Sequence, residues 1–395
     1  MAVRIIRGHV ILPDRLLERG RVVVEDGIIQ AVDEDTVRSS TTDDAGDLFI
    51  APGFIDVHTH GIAGADTMDA TQSALSAMAR RYASHGVTGF LPTTMTQSAA
   101  ATVQALQAVC RYMELPEGQE PSAAQILGIH MEGPWISPQF KGAQNEDYIV
   151  LPGEEAINSF LAHGTGSISI VTLAPELPGA EQAIRTLRQH SVCVSIGHTG
   201  ATYEQALHAF DMGASQVTHC FNAMTPLHHR QPGVVGAVFR HREVCAELIA
   251  DGVHVHPAMM RLLIDVIGRE RVMLITDSMA ATDLPDGTYA LGGQDAYVRD
   301  GQARLQDGTL AGSTLTLDRA VRNIVQLCDV PLLDAVYMAS TVPAQAIGIG
   351  DRKGKICPGY DADLTILDAK LCPVRIMIGG HTVDFAGDDN ERIRK

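Results

Sequence analysis

Two histidines, one residue apart, close an apolar run in "GFIDVHTHG", residues 53–61. On an extended strand alternate side chains share a face, so His58 and His60 can turn toward one ion. Five further apolar runs also end in polar groups. Glu132 lies in "HMEGPW", His198 in "IGHTG" and His219 in "VTHCFNAM"; Asp251 and His254 lie in "DGVH", and Asp277 in "ITDSM". Imidazole and carboxylate are the usual ligands of a catalytic divalent cation that keeps one position for water. Such an ion acidifies its water and polarises a carbonyl, and a spare carboxylate, Asp277, can carry the water's proton to a leaving amine. Taken singly, each residue has a plainer reading. A lone His-x-His is a weak motif. Glu132 can cap a loop, His198 can bond a backbone carbonyl, and His219 beside Cys220 can be a buried polar residue. Asp277 can cap the next segment, and Asp251 before Gly252 can form a turn. His130 shares the face of Glu132 by parity and is a rival ligand set deeper in its strand. His9, His85, His163, His190, His208 and His241 fall on helices or an outer sheet and read as surface or structural.

The elements that would carry these residues alternate. From Pro52 onward, strands such as "GVTGFLPTT", "SISIVTLAPE" and "RVMLITDSM" are separated by amphipathic helices such as "TQSALSAMARRYASHG" and "PAMMRLLIDVIG". Apolar strands alternating with helices predict a parallel sheet covered on both faces, and about eight such units fit a closed (β/α)₈ TIM-type barrel. In that fold functional groups gather at the carboxyl ends of the strands, which is where the polar residues above fall. The two ends of the chain differ from the middle. "VRIIRGHVIL", "GRVVVEDGIIQAVD", "GKICPGYDADLTILD" and "CPVRIMIGGHTVDF" are rich in β-branched residues and turns. They predict a small β-sandwich domain built from residues 1–52 and 350–395, around a barrel of 53–349 with a β-rich insertion near 284–313 over its mouth.

Composition narrows the partners. The chain has 395 residues, 45% of them hydrophobic, and a net charge of −17. That balance affords a large core and argues against a nucleic acid or an anionic membrane as partner. A small anionic substrate remains compatible if a cation is placed locally; Arg230, with His228 and His229 in "PLHHRQPG", is one source, although on these residues alone a solvated loop charge is the preferred reading. Seven dispersed cysteines suggest free thiols in a reducing compartment. With no apolar run long enough to span a bilayer and no secretory pattern at residue 1 onward, a cytoplasmic location is expected.

The motifs "PGFIDVHTHG", "HMEGPW", "GHT", "THCFNAMTP", "ADGVHV", "ITDSM" and "LAGS" together resemble the N-acetylglucosamine-6-phosphate deacetylases of the amidohydrolase superfamily. The resemblance spans essentially the whole chain. It implies hydrolysis of the acetamide of N-acetyl-D-glucosamine 6-phosphate. By the same resemblance Glu132, His198 and His219 would hold the main ion. Asp277 would act as base and then acid, and His254, beside Asp251, would help polarise the acetyl carbonyl. Asn222, Ala223 and Arg230 would meet the phosphate. Ala143 and Leu310, Ala311, Gly312 and Ser313 would line the sugar pocket. The resemblance also suggests a homodimer in which the loop 226–232 reaches a neighbouring site. Some members replace the opening histidines with amides and hold one ion; with both His58 and His60 present, a second ion bridged by Glu132 is expected. Many members have His where this chain has Gln144, so contacts with the sugar can differ. Zinc, iron, manganese and cobalt all suit these ligands. The galactosamine isomer is an alternative substrate. A cyclic-amide hydrolase would want a bridging lysine at the end of strand four, where "VTLAPE" has none. A barrel without chemistry would show gaps in the ligand set.

Overall fold

Eight parallel strands of a computed structural model carry the polar residues to one rim. The structure describes residues 3–34, 43–116 and 122–383. Parts of the expected small domain, 35–42 and 384–395, lie outside the described residues. The barrel strands are β1 (Phe54–Thr59), β2 (Val87–Thr94), β3 (Ile129–Glu132), β4 (Ile168–Leu173), β5 (Cys193–Ile196), β6 (Gln216–Val217), β7 (Cys245–Ile249) and β8 (Val272–Ile275). They pair in chain order, each parallel to the next. Every residue of β1 and β2 is buried, as expected of strands covered on one face by helices and on the other by the barrel interior.

The seam between β8 and β1 is closed just beyond the strand ends. Asp277 N–H donates to His58 O at 2.9 Å and His60 N–H to Ser278 O at 2.8 Å, while Thr276 Oγ1–H reaches the Asp56 carboxylate at 2.6 Å. Behind the seam, Thr59 Oγ1, Tyr82 OH and Ser278 Oγ form a buried hydroxyl cluster with Thr59 2.5 Å from Tyr82 and 2.7 Å from Ser278. The closure therefore fixes His58, His60 and Asp277 relative to one another through backbone bonds.

Nine helices run over the outside among the described residues, from α1 (Gln72–Ser84) and α2 (Ala99–Glu114) through α3 (Glu154–His163), α4 (Ala180–Gln189), α5 (Tyr203–Asp211), α6 (Gly233–Arg240) and α7 (Pro257–Ile267) to α8 (Leu317–Cys328) and α9 (Leu332–Ala346). Local sequence sets several starts. Thr71 Oγ1 accepts from Ala74 N–H, and Thr202 and Gln205 form a reciprocal capping box. Between β8 and α8 the insertion folds as an antiparallel sheet of Gly287–Leu291, Gln294–Arg299 and Gln302–Arg304 around its own apolar cluster.

The chain ends form one mixed seven-stranded sheet in which Asp43–Pro52 joins Arg4–Ile11 in parallel and pairs on its other edge with Leu364–Leu367. This sheet folds over on itself around Ile6, Val10, Ile29, Ile50 and Ile366. Arg4, on a strand four places from His381–Val383 in the sheet, bonds Thr382 Oγ1 at 2.7 Å, and Ala362 N–H meets Gly27 O at 2.8 Å.

His85, expected on a helix or outer sheet, closes α1 and is buried. Its Nδ1 lies 3.1 Å from Asp318 and its Nε2 2.6 Å from Asp283, so α1, α8 and the root of the insertion meet at one ring. Burial opposes the charged ring, but the two carboxylates win and its pKa rises from 6.5 to about 9. A raised folded pKa contributes stability that is complete below about pH 6.5 and is lost as pH climbs through about 9. A shift of this size corresponds to about 3 kcal/mol. We expect His85→Gln to lower unfolding stability by that order at pH 6, with the gap to wild type closing by about pH 10. A deficit independent of pH, in denaturant titrations, would reduce the cluster to packing.

Candidate active site

Three histidines at the rim arrive with their tautomers set by their surroundings. His58, with 0% exposure, has Nδ1 2.8 Å from Glu247 Oε2; His60 has Nδ1 3.2 Å from Thr93 O; His198 has Nδ1 2.9 Å from Phe140 O. Each Nδ1 thus donates outward, and each Nε2 turns an open lone pair inward. The chain reaches this arrangement by leaving regular strand geometry. His198, His219 and Asp277 lie two residues past the ends of β5, β6 and β8, with φ of 48°, 29° and 49°. A left-handed step is uncommon for such residues and tips their side chains toward the barrel axis.

Glu132, at the end of β3, is the meeting point. Its Oε1 is 3.1 Å from His198 Nε2 and 3.1 Å from His219 Nε2, and those two nitrogens are 3.1 Å apart. Its Oε2 is 3.2 Å from His60 Nε2 and 2.6 Å from Gln144 Nε2. Asp277 Oδ1 stands 3.2 Å from His60 Nε2 and 3.6 Å from His58 Nε2. His58 Nε2 is buried without a hydrogen-bond partner. Lone pairs of neutral imidazoles facing carboxylate oxygens repel unless a positive charge lies between them. The 3.1 Å triangle is also near the edge, roughly 3.3 Å, of a tetrahedron whose metal–ligand bonds are about 2.0–2.1 Å. The residues present therefore fit a divalent cation, and they offer two ligand groups: Glu132, His198 and His219, and His58, His60 and Asp277.

In the protein without an ion, protons take the cation's place. Burial opposes charge on His60, but Asp277 and Glu132 raise its pKa to about 9. His58 is driven well above its usual value against burial by Glu132, Glu247 and Asp277. Burial likewise opposes ionisation of Asp277, yet His58 and His60 hold it down at about 2. His130 goes the other way. Burial and the neighbouring His58 lower it to about 4, and both its nitrogens are used, Nδ1 on Val57 O at 3.0 Å and Nε2 on Thr172 Oγ1 at 2.8 Å. Its part is to pack under His58, with no nitrogen left for an ion.

These groups open into a cavity of about 170 Å³. Ala143, Asn222, Ala223, His254, Leu310 and Gly312 line it together with His60, Glu132, His198, His219 and Asp277. His254 Nδ1 is 2.6 Å from Asp251 Oδ2, and Asp251 Oδ1 accepts the backbone N–H of both Val253 and His254; Asp251 stands behind His254 and does not line the cavity. Burial opposes ionisation of Asp251, but these bonds lower its pKa below the usual value. The segment 310–313 alternates. Ala311 is buried in the insertion's own cluster, and Ser313 Oγ–H bonds Thr276 O at 2.6 Å while its backbone N–H bonds Asp277 O at 2.7 Å. These two differ from the expected sugar-lining role because Ala311 is spent on packing and Ser313 on holding Thr276 and Asp277, with the backbone turning between them at Gly312, φ 58°. Arg230 is also outside the lining. It is exposed, with Nη1 2.8 Å from His229 Nε2.

Two site residues carry more than their sequence setting suggested. Gln144 is buried, with its amide oriented by Thr96 N–H on Oε1 at 2.7 Å, so that Nε2 donates to Glu132. Glu247 interrupts the apolar run of β7 with 0% exposure. That interruption was its only signal in the sequence.

A parallel barrel whose carboxyl rim gathers imidazoles and carboxylates around a place for a cation defines a metal-dependent hydrolase class. The Amidohydrolase family model matches residues 49–392. The N-acetylgalactosamine-6-phosphate deacetylase of Escherichia coli O157:H7 is 40% identical over 383 residues, 95% of this chain and 100% of its own. The N-acetylglucosamine-6-phosphate deacetylase of Lysinibacillus sphaericus is 44% identical over 323 residues, 82% of each chain. Among solved structures, N-acetyl-D-glucosamine-6-phosphate deacetylase from Mycobacterium smegmatis, with one aspartate replaced by alanine and its N-acetyl-D-glucosamine 6-phosphate bound, superposes with a TM-score of 0.92 at 33% identity, covering 97% of this chain and 100% of that one. The chain belongs to the amidohydrolase family.

Proposed function

We propose that this chain hydrolyses the acetamide of N-acetyl-D-glucosamine 6-phosphate, releasing D-glucosamine 6-phosphate and acetate. The convergence of Glu132, His198 and His219 within 3.1 Å of one another, beside a carboxylate at the cavity floor, carries the reading of the chemistry. The relatives support the substrate. The galactosamine isomer is a second reading, because the Escherichia coli relative, matched over its full length, acts on it by name.

Glu132 Oε1, His198 Nε2 and His219 Nε2 would hold the main cation, and His58 and His60, with Glu132 Oε2, a second. When bound, the metal acidifies a water and polarises the acetyl carbonyl. Asp277, ionised and held by His60, takes the proton of the attacking water and passes it to the departing sugar amine. His254, whose Nδ1 is held by Asp251 Oδ2 at 2.6 Å, offers its Nε2 side to the carbonyl oxygen. Ala143, Leu310 and Gly312 border the sugar. Asn222 and Ala223 lie where the phosphate would enter, and Arg230, exposed on the following loop, would close on it from its own mouth or that of a second copy. Zinc, iron, manganese and cobalt each suit two imidazoles and a carboxylate. A cytoplasmic location is in keeping with the free cysteines, of which Cys193 and Cys220 are pushed up to about 11 and 12 by burial, and a homodimer is the assembly the resemblance suggests. No helix among the described residues is long and apolar enough to cross a membrane.

The test couples elemental analysis of freshly purified protein to acetate release from both 6-phosphates. Bound ion and faster turnover of the glucosamine compound are expected. The galactosamine compound turning over faster would install the second reading. No ion and no rescue by added divalent metal would end the hydrolase assignment. For the phosphate contact, Arg230→Ala is expected to raise KM for the phosphorylated sugar about tenfold or more while barely changing that of N-acetylglucosamine, as loss of a charge-assisted pair predicts. Equal effects on both sugars would remove Arg230 from the phosphate.

A further inference from the structure

Glu247 is a fully buried acid in the barrel interior to which the proposed chemistry gives no part. Its Oε2 accepts His58 Nδ1–H at 2.8 Å and the backbone N–H of His219 at 3.1 Å. Its backbone O accepts Cys220 N–H at 2.9 Å. One carboxylate oxygen thus touches a residue of each ligand group, the ring of His58 in one and the main chain of His219 in the other. The backbone of His219 is at φ 29°, a conformation that needs an outside hold. The ring of His58 is packed edge-on by His130, with centroids 4.5 Å apart, and that neighbour's nitrogens are both engaged elsewhere. His58, His130 and Glu247 therefore cannot form a third metal pocket, although their atoms lie close. What is left over is His58 Nε2, buried, unpartnered and aimed at Glu132 and Asp277.

We propose that Glu247 is a positioning residue: by binding Nδ1–H it fixes the ring and tautomer of His58, presenting Nε2 to the second cation, while its hold on His219 registers that pocket against the first. A carboxylate behind a ligating imidazole also strengthens that ligand, and loss of such a partner costs about 10–100-fold in metal affinity. The inference rests on the reading of this site as a two-ion centre, which the experiment tests separately.

Chelator-stripped wild type and Glu247→Gln are titrated with Mn(II), following stoichiometry by calorimetry and ion–ion coupling by electron paramagnetic resonance. Wild type is expected to take two coupled ions. In Glu247→Gln, whose amide oxygen can keep both bonds of Oε2 but carries no charge to strengthen His58, the weaker ion is expected to lose about 10–100-fold in affinity, with its coupling signal, while the tighter changes less than about threefold. In a His58→Gln background, which lacks the ring that Glu247 holds, adding Glu247→Gln should leave the remaining ion's affinity within about threefold. Wild type taking no ion would overturn the metal reading and this proposal together. Wild type taking one ion, two ions binding Glu247→Gln unchanged, or both ions weakening equally would overturn the proposal alone. Should Glu247→Gln not fold, Glu247→Asp, which keeps the charge but draws it back from Nδ1, is expected to weaken the second ion selectively, and equal weakening of both would overturn the proposal.

Discussion

Asp277→Asn is expected to cut kcat by roughly 10²–10⁴-fold, the usual worth of a general acid–base group, with KM nearly unchanged and the main ion still bound. The substitution is clean for structural reasons. Asp277 sits at φ 49°, and Asn is among the residues that best tolerate that conformation. The anchors of this residue to its surroundings are backbone ones, N–H to His58 O at 2.9 Å and O from Ser313 N–H at 2.7 Å, and neither depends on the side chain. The amide keeps the shape and can still accept from one side, but cannot take a proton from water and return it to an amine. The ligands Glu132, His198 and His219 remain as they are. Single-turnover acetate release alongside metal analysis checks this. Activity near wild type would remove Asp277 as proton carrier. Activity and ion lost together would make it a ligand first.

The sequence carries much of this site because the barrel rule is strict. An apolar strand that ends in a polar residue places that residue at the rim, so Glu132, His198, His219 and Asp277 can be picked out before their distances are known. What it does not carry is the bend. In "VTHCFNAM" the apolar run reads as a strand that carries His219 at its end, yet regular pairing in β6 ends at Val217 and the chain turns through positive φ at His219, Phe221 and Ala223. No glycine marks those positions, and the turn is held by long-range bonds such as His219 N–H to Glu247. Glu247 shows the same limit. An acid inside an apolar strand is a visible anomaly, but its partner His58 lies 189 residues away. Gln144 differs again. Sequence showed that it cannot carry charge; only the structure shows its amide set by Thr96 and spent on Glu132. For Arg230 the phosphate role comes from the family resemblance, while its residue setting alone favours a solvated loop charge, and the side chain is exposed. An exposed loop leaves that contact to be supplied by closure or by a second copy.

Glu132→Gln is expected to have the other large effect, and for a reason that Gln144 supplies. Gln144 Nε2 donates at 2.6 Å to Glu132 Oε2, and its own orientation is locked by Thr96. An amide at position 132 must therefore turn its oxygen toward Gln144 and its NH₂ toward His198 and His219. That NH₂ would donate to the open imidazole lone pairs and occupy the cation's place. Bound main ion is expected to fall below about one per ten chains and turnover by about 10³-fold or more, with no rescue at millimolar metal. Chelated protein separates this from misfolding. In wild type, the pairing of charged His60 with Glu132 and Asp277 stabilises the ion-free fold below about pH 6.5 and is lost as pH rises through about 9, leaving lone pairs facing carboxylates. The variant keeps an amide hydrogen bond at either pH. Chelated wild type should therefore melt above the variant at pH 6, and the order should reverse or vanish by pH 10. A variant that melts well below wild type at both pH values would show only a damaged fold. One that keeps its ion would show that the histidines suffice without the glutamate.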